Sequence, residues 1–199
     1  MKLNQKGFTL IELMATLLII AVVMGITIPN VTGIFNQGKV TTYAEDAKKL
    51  RTSAEHMFKG DNTVVKPTNN GECIAISLAY LDNDEYNPPY GGRYLQTKSF
   101  IIVKMNVTNS GGRDIRKYSY HVQLIESLPD YGYRGFRLVD ASLLDGDGYF
   151  DMVGEFGDAD GFADLTNYIT NPNSLKSHGN LGSLCSSVLK VYTPEPDEE

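Results

Sequence analysis

Lys6-Gly7-Phe8-Thr9-Leu10-Ile11-Glu12-Leu13 joins a short basic leader to a long apolar run. From Phe8 to Ile28 the only charged residue is Glu12, while Lys2 and Lys6 stand in front. Built as a helix rising about 1.5 Å per residue, that run spans roughly 30 Å, close to one bilayer core. A positive leader stays on the cytoplasmic side, so the remainder of the chain is the exported part. An ordinary secretory signal is cut after its apolar stretch, at small residues. Here the small residue, Gly7, precedes the stretch. Cutting after Gly7 leaves the apolar helix on the mature chain with a free amine on Phe8, and the signal becomes an anchor.

Gly7-Phe8-Thr9-Leu10-Ile11-Glu12 resembles the class III leader and amino terminus of type IV pilins and their pseudopilin relatives, and the likeness extends to Pro29, where that family often breaks its first helix. The resemblance implies cleavage between Gly7 and Phe8 by a membrane-embedded aspartic prepilin peptidase and N-methylation of Phe8. It also implies helical assembly with other copies or related pilins on a membrane platform. The expected fold is α+β, a long N-terminal helix packed on an antiparallel β-sheet head. The expected divisions are a leader at 1–7, a helix at 8–60 whose hydrophobic transmembrane and assembly segment is 8–28, and a β-rich head at 61–199.

A carboxylate inside a bilayer or helix bundle costs several kcal/mol unless it is paired. Glu12 therefore calls for a cation. The Phe8 amine lies four residues upstream in its own chain, and the resemblance points to the amine of a neighbouring subunit. Such a pair sets the register between subunits. Gly25, Pro29, Gly33 and Gly38 then punctuate the helix, so the segment is expected to bend or melt locally, or else to kink while staying helical.

From Val40 to Phe58, Val40, Tyr43, Ala44, Ala47, Leu50, Ala54, Met57 and Phe58 recur at helical spacing between charged residues. This predicts an amphipathic helix that ends at Gly60. Strands are predicted at 73–80, 99–107, 118–126 and 136–139, the second and third as a hairpin. In the third, Tyr118, Tyr120, Val122 and Leu124 alternate with Ser119, His121 and Gln123, which predicts one buried and one wet face.

Cys73 and Cys185 are the two cysteines. Export permits a disulfide between them, tying the tail to the sheet; two free thiols are the alternative. Asp145-Gly146-Asp147-Gly148-Tyr149-Phe150-Asp151 is echoed by Asp158-Ala159-Asp160-Gly161-Phe162-Ala163-Asp164. Both read Asp-x-Asp-Gly-aromatic-x-Asp. Carboxylates at that spacing on a glycine-bent loop can converge on calcium, so Asp145, Asp147, Asp151, Asp158, Asp160 and Asp164 are candidate ligands. The bland alternative is an acidic, solvated pair of turns.

The net charge of −6 becomes more negative once Lys2 and Lys6 are removed. Such a field disfavours nucleic acid, although Arg113, Arg116 and Lys117 form a local basic patch. His56, His121 and His178 are dispersed, and no nucleophile or phosphate-binding signature occurs, so no enzymatic activity is expected. The expected role is a structural subunit of a type IV pilus, with adhesion, motility, DNA uptake and secretion all compatible with this amino terminus. It is held in the cytoplasmic membrane as a single-pass precursor with its C-terminus outside, then packed into an extracellular fibre. The alternatives are a pseudopilin of a type II secretion or competence apparatus, in a periplasmic pseudopilus, and a membrane-tethered binding module.

Overall fold

The apolar stripe that begins at Val40 becomes the main core of the molecule. The computed structural model describes residues 8–60, 62, 64–81, 86, 88–129, 132–146, 153–156, 165 and 184–191, without the side chains of 26–32 and 187–191. Helix α1 runs Leu10–Gly60. The backbone is helical through Gly25, Pro29, Gly33 and Gly38, so the expected local melting does not occur. One proline removes a single intrahelical donor, and the helix continues on both sides of it although its neighbours, Thr27, Ile28, Asn30 and Val31, are not strong helix formers.

The chain divides into two compact units, 1–39 and 40–199. In the second, Tyr43, Ala44, Ala47, Leu50, Ala54 and Phe58 are buried. They pack against Ile74 and Ile76, Ile101 and Val103, Val122 and Leu124, and Phe136. Burying a side chain the size of Leu50 or Phe58 contributes roughly 1.5–3 kcal/mol.

Those partners lie on strands β1 (Glu72–Ser77), β3 (Phe100–Ser110), β4 (Arg113–Leu128) and β5 (Gly132–Asp140). With β6 (Val153–Phe156) and β7 (Ser187–Val191) the sheet order is β6-β5-β4-β3-β1-β7, and β2 (Arg93–Tyr94) pairs with the end of β4. The pairings are antiparallel except β1 with β7, which is parallel. The predicted hairpin is β3–β4, in register from Phe100↔Gln123 to Ser110↔Arg113. Its two-residue turn is Gly111-Gly112, with φ of 61° and 80°, a conformation that glycine adopts without a Cβ clash. The predicted first strand ends sooner than expected, because Leu78–Tyr80 forms a 3-10 turn capped by the Ser77 side chain.

The wet face expected for β4 is not wet along its whole length. Gln123 is buried, and its Nε2 donates to the Lys98 carbonyl at 2.8 Å. On that side Cys73, Ala75, Phe100, Ile102, Leu165 and Cys185 form a second, smaller core. Alternation along one strand cannot reveal a layer contributed by residues far away in sequence.

Candidate assembly site

The start of α1 is closed by its own side chains. The Thr9 N–H and Oγ1–H each donate to Glu12 Oε2 at 2.9 Å, and the Glu12 N–H donates back to Thr9 Oγ1 at 3.3 Å. This is a capping box: Thr9 caps the helix, and the third helical residue reaches back to satisfy a backbone donor that has no intrahelical partner. Both donations from Thr9 go to Oε2, and none among the described residues goes to Oε1. Glu12 thus has a role in its own chain besides the intersubunit pairing expected of it. The signal for it, Thr-x-x-Glu ahead of an apolar run, was present in the sequence. Phe8, which would carry the methylated amine, is exposed, and Gly7 lies outside the described residues.

Behind this cap, Leu10, Ile11, Leu13, Met14, Leu17, Leu18, Ile19, Ile20, Val22, Val23 and Met24 cover the helix all round, and each is at least 47% exposed. Among the described residues no helix is long and apolar enough to cross a membrane. The described side chains of this run stop at Gly25, short of Ile26-Thr27-Ile28.

Cys73 and Cys185 are disulfide-bonded, their Cα atoms 5.8 Å apart, and the bridge lies in the smaller core. Of the six aspartates named as calcium ligands, five lie outside the described residues. The sixth, Asp145, accepts from Arg51 at 2.9 Å, and that guanidinium holds its carboxyl below the usual carboxylate range. Among the described residues no group of three or more His, Cys, Asp or Glu is placed to hold a metal.

Two acids that sequence reading passed over are buried in the head. Asp46 sits on the inner face of α1, where its Oδ2 accepts from the Tyr94 hydroxyl at 2.9 Å and its Oδ1 lies 3.5 Å from Lys49. Burial pushes its carboxyl up from the ordinary value. Glu126 on β4 accepts from the Gly92 N–H at 2.7 Å. Tyr43 donates to the carbonyls of Arg134 and Leu124 at 2.9 and 3.3 Å, fastening helix to sheet. His121 is half-buried 3.8 Å from Asp140, and burial holds its pKa below the ordinary value. Asp46, Glu126 and Tyr43 are thus hydrogen-bonded within the head, whereas the Nδ1 of His121 is buried without a hydrogen-bond partner among the described residues.

The family model described as the prokaryotic N-terminal methylation motif matches residues 2–28. The ComG operon protein 3 homolog of Bacillus licheniformis is 36% identical over 90 residues, 38% of this chain and 93% of that protein. The type II secretion system core protein G of Klebsiella pneumoniae is 28% identical over 89 residues, 45% of this chain and 63% of the relative. Its namesake in Pseudomonas aeruginosa is 34% identical over 68 residues, 34% of this chain and 47% of the relative. The match therefore spans less than two thirds of the length of both secretion proteins. No solved structure matches. Matched over nearly the whole of the Bacillus relative and carrying the methylation motif on a helix that packs against a sheet, the chain belongs to the type IV pilin and pseudopilin family.

Proposed function

We propose that the protein is a structural subunit of a type IV pilus, inserted in the cytoplasmic membrane through residues 8–28 and, once cut after Gly7, packed through the same residues into a helical fibre. The observation that carries this reading is the apolar surface from Phe8 to Met24, exposed on every side of α1. Soluble proteins do not leave such a surface in water, so lipid covers it before assembly and other subunits cover it afterwards. The work of the subunit is assembly and display, and no chemistry is assigned to it. A pseudopilin of a type II secretion or competence apparatus is the second reading. It is favoured by the names of the relatives, two of which are type II secretion core proteins and one a ComG operon protein.

Electron microscopy of cells carrying a tagged copy separates the two readings. Label along surface fibres supports the pilus, and label confined to the envelope supports the pseudopilus. Intact mass of the membrane-extracted protein checks the processing: the mature chain begins at a methylated Phe8, and a terminus beyond Ile28 would remove both readings.

The aspartate echo adds a calcium-binding reading that rests on the sequence pattern. Clustered carboxylates repel one another, so calcium raises the melting temperature of the head, by roughly 2.7 kcal/mol of stability at a hundredfold excess over Kd. Magnesium substitutes poorly, because it demands a tighter octahedron. A melt unmoved by millimolar calcium returns the aspartates to solvated turns.

A further inference from the structure

The β3–β4 hairpin runs on past the sheet that supports it. β1 pairs with β3 only as far as Lys104, and β5 pairs with β4 only from His121 onward. Past Lys104 the Gly71 N–H still donates to the Met105 carbonyl at 2.8 Å and the Val107 N–H to Asn70 Oδ1 at 2.9 Å, so the ribbon is free only from Thr108 to its turn, about 10 Å at 3.3 Å per residue. Residues 108–118 are exposed on both faces. Arg113, Arg116 and Lys117 lie along this arm, and none of them makes an ion pair with another described residue. The acid among them, Asp114, accepts from Asn109 Nδ2 at 2.9 Å. The arm is thus a concentrated positive charge on a chain whose net charge is −6.

At the base of the same ribbon is a recess of about 260 Å³ whose charged lining is Glu55, Asp140, Asp145 and Arg51, with Tyr118 and Tyr120 as aromatic walls. Arg51 donates to the Ala141 carbonyl at 3.2 Å and to Asp145 at 2.9 Å. Its single charge leaves the lining two charges negative. Carboxylates beside aromatic faces suit a guanidinium or ammonium group. Arg113, at the tip, cannot fill its own recess, because five strand residues, about 16 Å, separate it from Tyr118.

We propose that the β3–β4 arm of one copy docks on the next, seating Arg113 in the recess formed by Glu55, Asp140 and Asp145. The contact is head-to-tail: the surface given is not the surface received, so repeating it makes an open helical array and not a closed dimer. This inference rests on the filament reading above and says which surfaces of the heads meet.

The test uses the full-length chain in cells lacking any other copy. Fibres are sheared and treated with a zero-length carbodiimide, which couples an amine to a touching carboxylate. Mixed light and heavy isotope copies identify the joins made between chains. The expected product links Lys117 of one copy to Glu55, Asp140 or Asp145 of another. Arg113→Glu with Arg116→Glu lowers the sheared fibre fraction by about tenfold or more, as does Glu55→Lys with Asp140→Lys, and co-expressing the two reversed chains restores it. Formation of the Cys73–Cys185 bridge in each variant shows that the head has folded.

Wild-type fibre levels in both reversed variants, with no inter-copy join at Lys117, would overturn the docking and leave the filament reading standing. Normal fibres that lose only the capacity to retain DNA would overturn it in favour of a nucleic acid partner. A wild-type chain that makes no fibre or pseudopilus would overturn the filament reading and the docking with it.

Discussion

Residues 10–25 and 40–60 belong to one helix, yet they solve opposite problems. In the later segment the apolar residues occupy one face and are buried, and Glu45, Lys48 and Lys59 face water. In the earlier segment the apolar residues occupy every face and none is buried. A helix with one apolar stripe completes itself against its own sheet, whereas a helix apolar all round is completed only by lipid or by other chains. The division between folding and assembly is therefore written into the period of hydrophobicity along one continuous element.

The sharpest way to break this comparison is at Glu12. Glu12→Ala removes both the cap and the charge, while Glu12→Gln keeps a side chain able to close the capping box and removes the charge alone. An unpaired amine left in a dry bundle costs about 3–5 kcal/mol, so both variants are expected to insert normally and to lose fibres on the order of a hundredfold. Fibre counts in a strain lacking the native copy provide the measurement. Wild-type fibres from Glu12→Gln would assign Glu12 to the cap alone.

A second test acts on the head and spares assembly contacts in the helix. Replacing Cys73 and Cys185 by Ser frees a loop spanning 112 positions, and the unfolding free energy is expected to fall by about 4 kcal/mol in the chain-entropy account. Denaturant unfolding of detergent-solubilised protein measures it.

Leu50→Ala and Leu17→Ala set the two segments directly against each other. The first leaves a cavity in the main core and lowers head stability by about 2–5 kcal/mol. The second removes an exposed side chain that is no part of the main core, so the head is expected to melt as before. A destabilised head in Leu17→Ala would mean that the apolar run serves the fold after all.

The smallest effect is expected at Asp46. Burial raises its folded pKa above the unfolded value, so the ionised form opposes the fold near neutrality. That opposition fades as pH falls through the raised pKa toward 3.8. Asp46→Asn keeps an acceptor for the Tyr94 hydroxyl and is therefore expected to be slightly more stable than wild type at pH 7. Melting from pH 7 down to pH 4 should show the two proteins converge.

The stripe from Tyr43 to Phe58 was legible because helical period and burial are the same fact seen in one dimension and in three. The hairpin was legible for a local reason as well, since only a pair of positive φ values at Gly111 and Gly112 turns β3 into β4 in two residues. Gln123 was misread as solvent-facing because the residues beside it in the smaller core, Leu165 and Cys185, come from more than forty positions further along. Asp46 carries no signal in the helical period, and only the position of Tyr94 shows that it points inward. At the amino terminus the leader and its acid were read correctly as a pattern, yet Thr9 was passed over. A buried charge calls for a counter-charge at Glu12, whereas the local demand is for donors and acceptors at a helix end.

The parallel pairing of β7 with β1 sets a temporal order on the head. β1 is complete by Ser77, but its outer edge receives its partner only when Ser187–Val191 arrives, more than half of the chain later. Until then Glu72–Ser77 presents unpaired backbone groups to any strand nearby. The Cys73–Cys185 bridge sits two residues ahead of β7 and holds that late strand against the early one. A chain released before Ser187–Val191 has emerged therefore has an open sheet edge at β1, so quality control of this head falls on the arrival of β7.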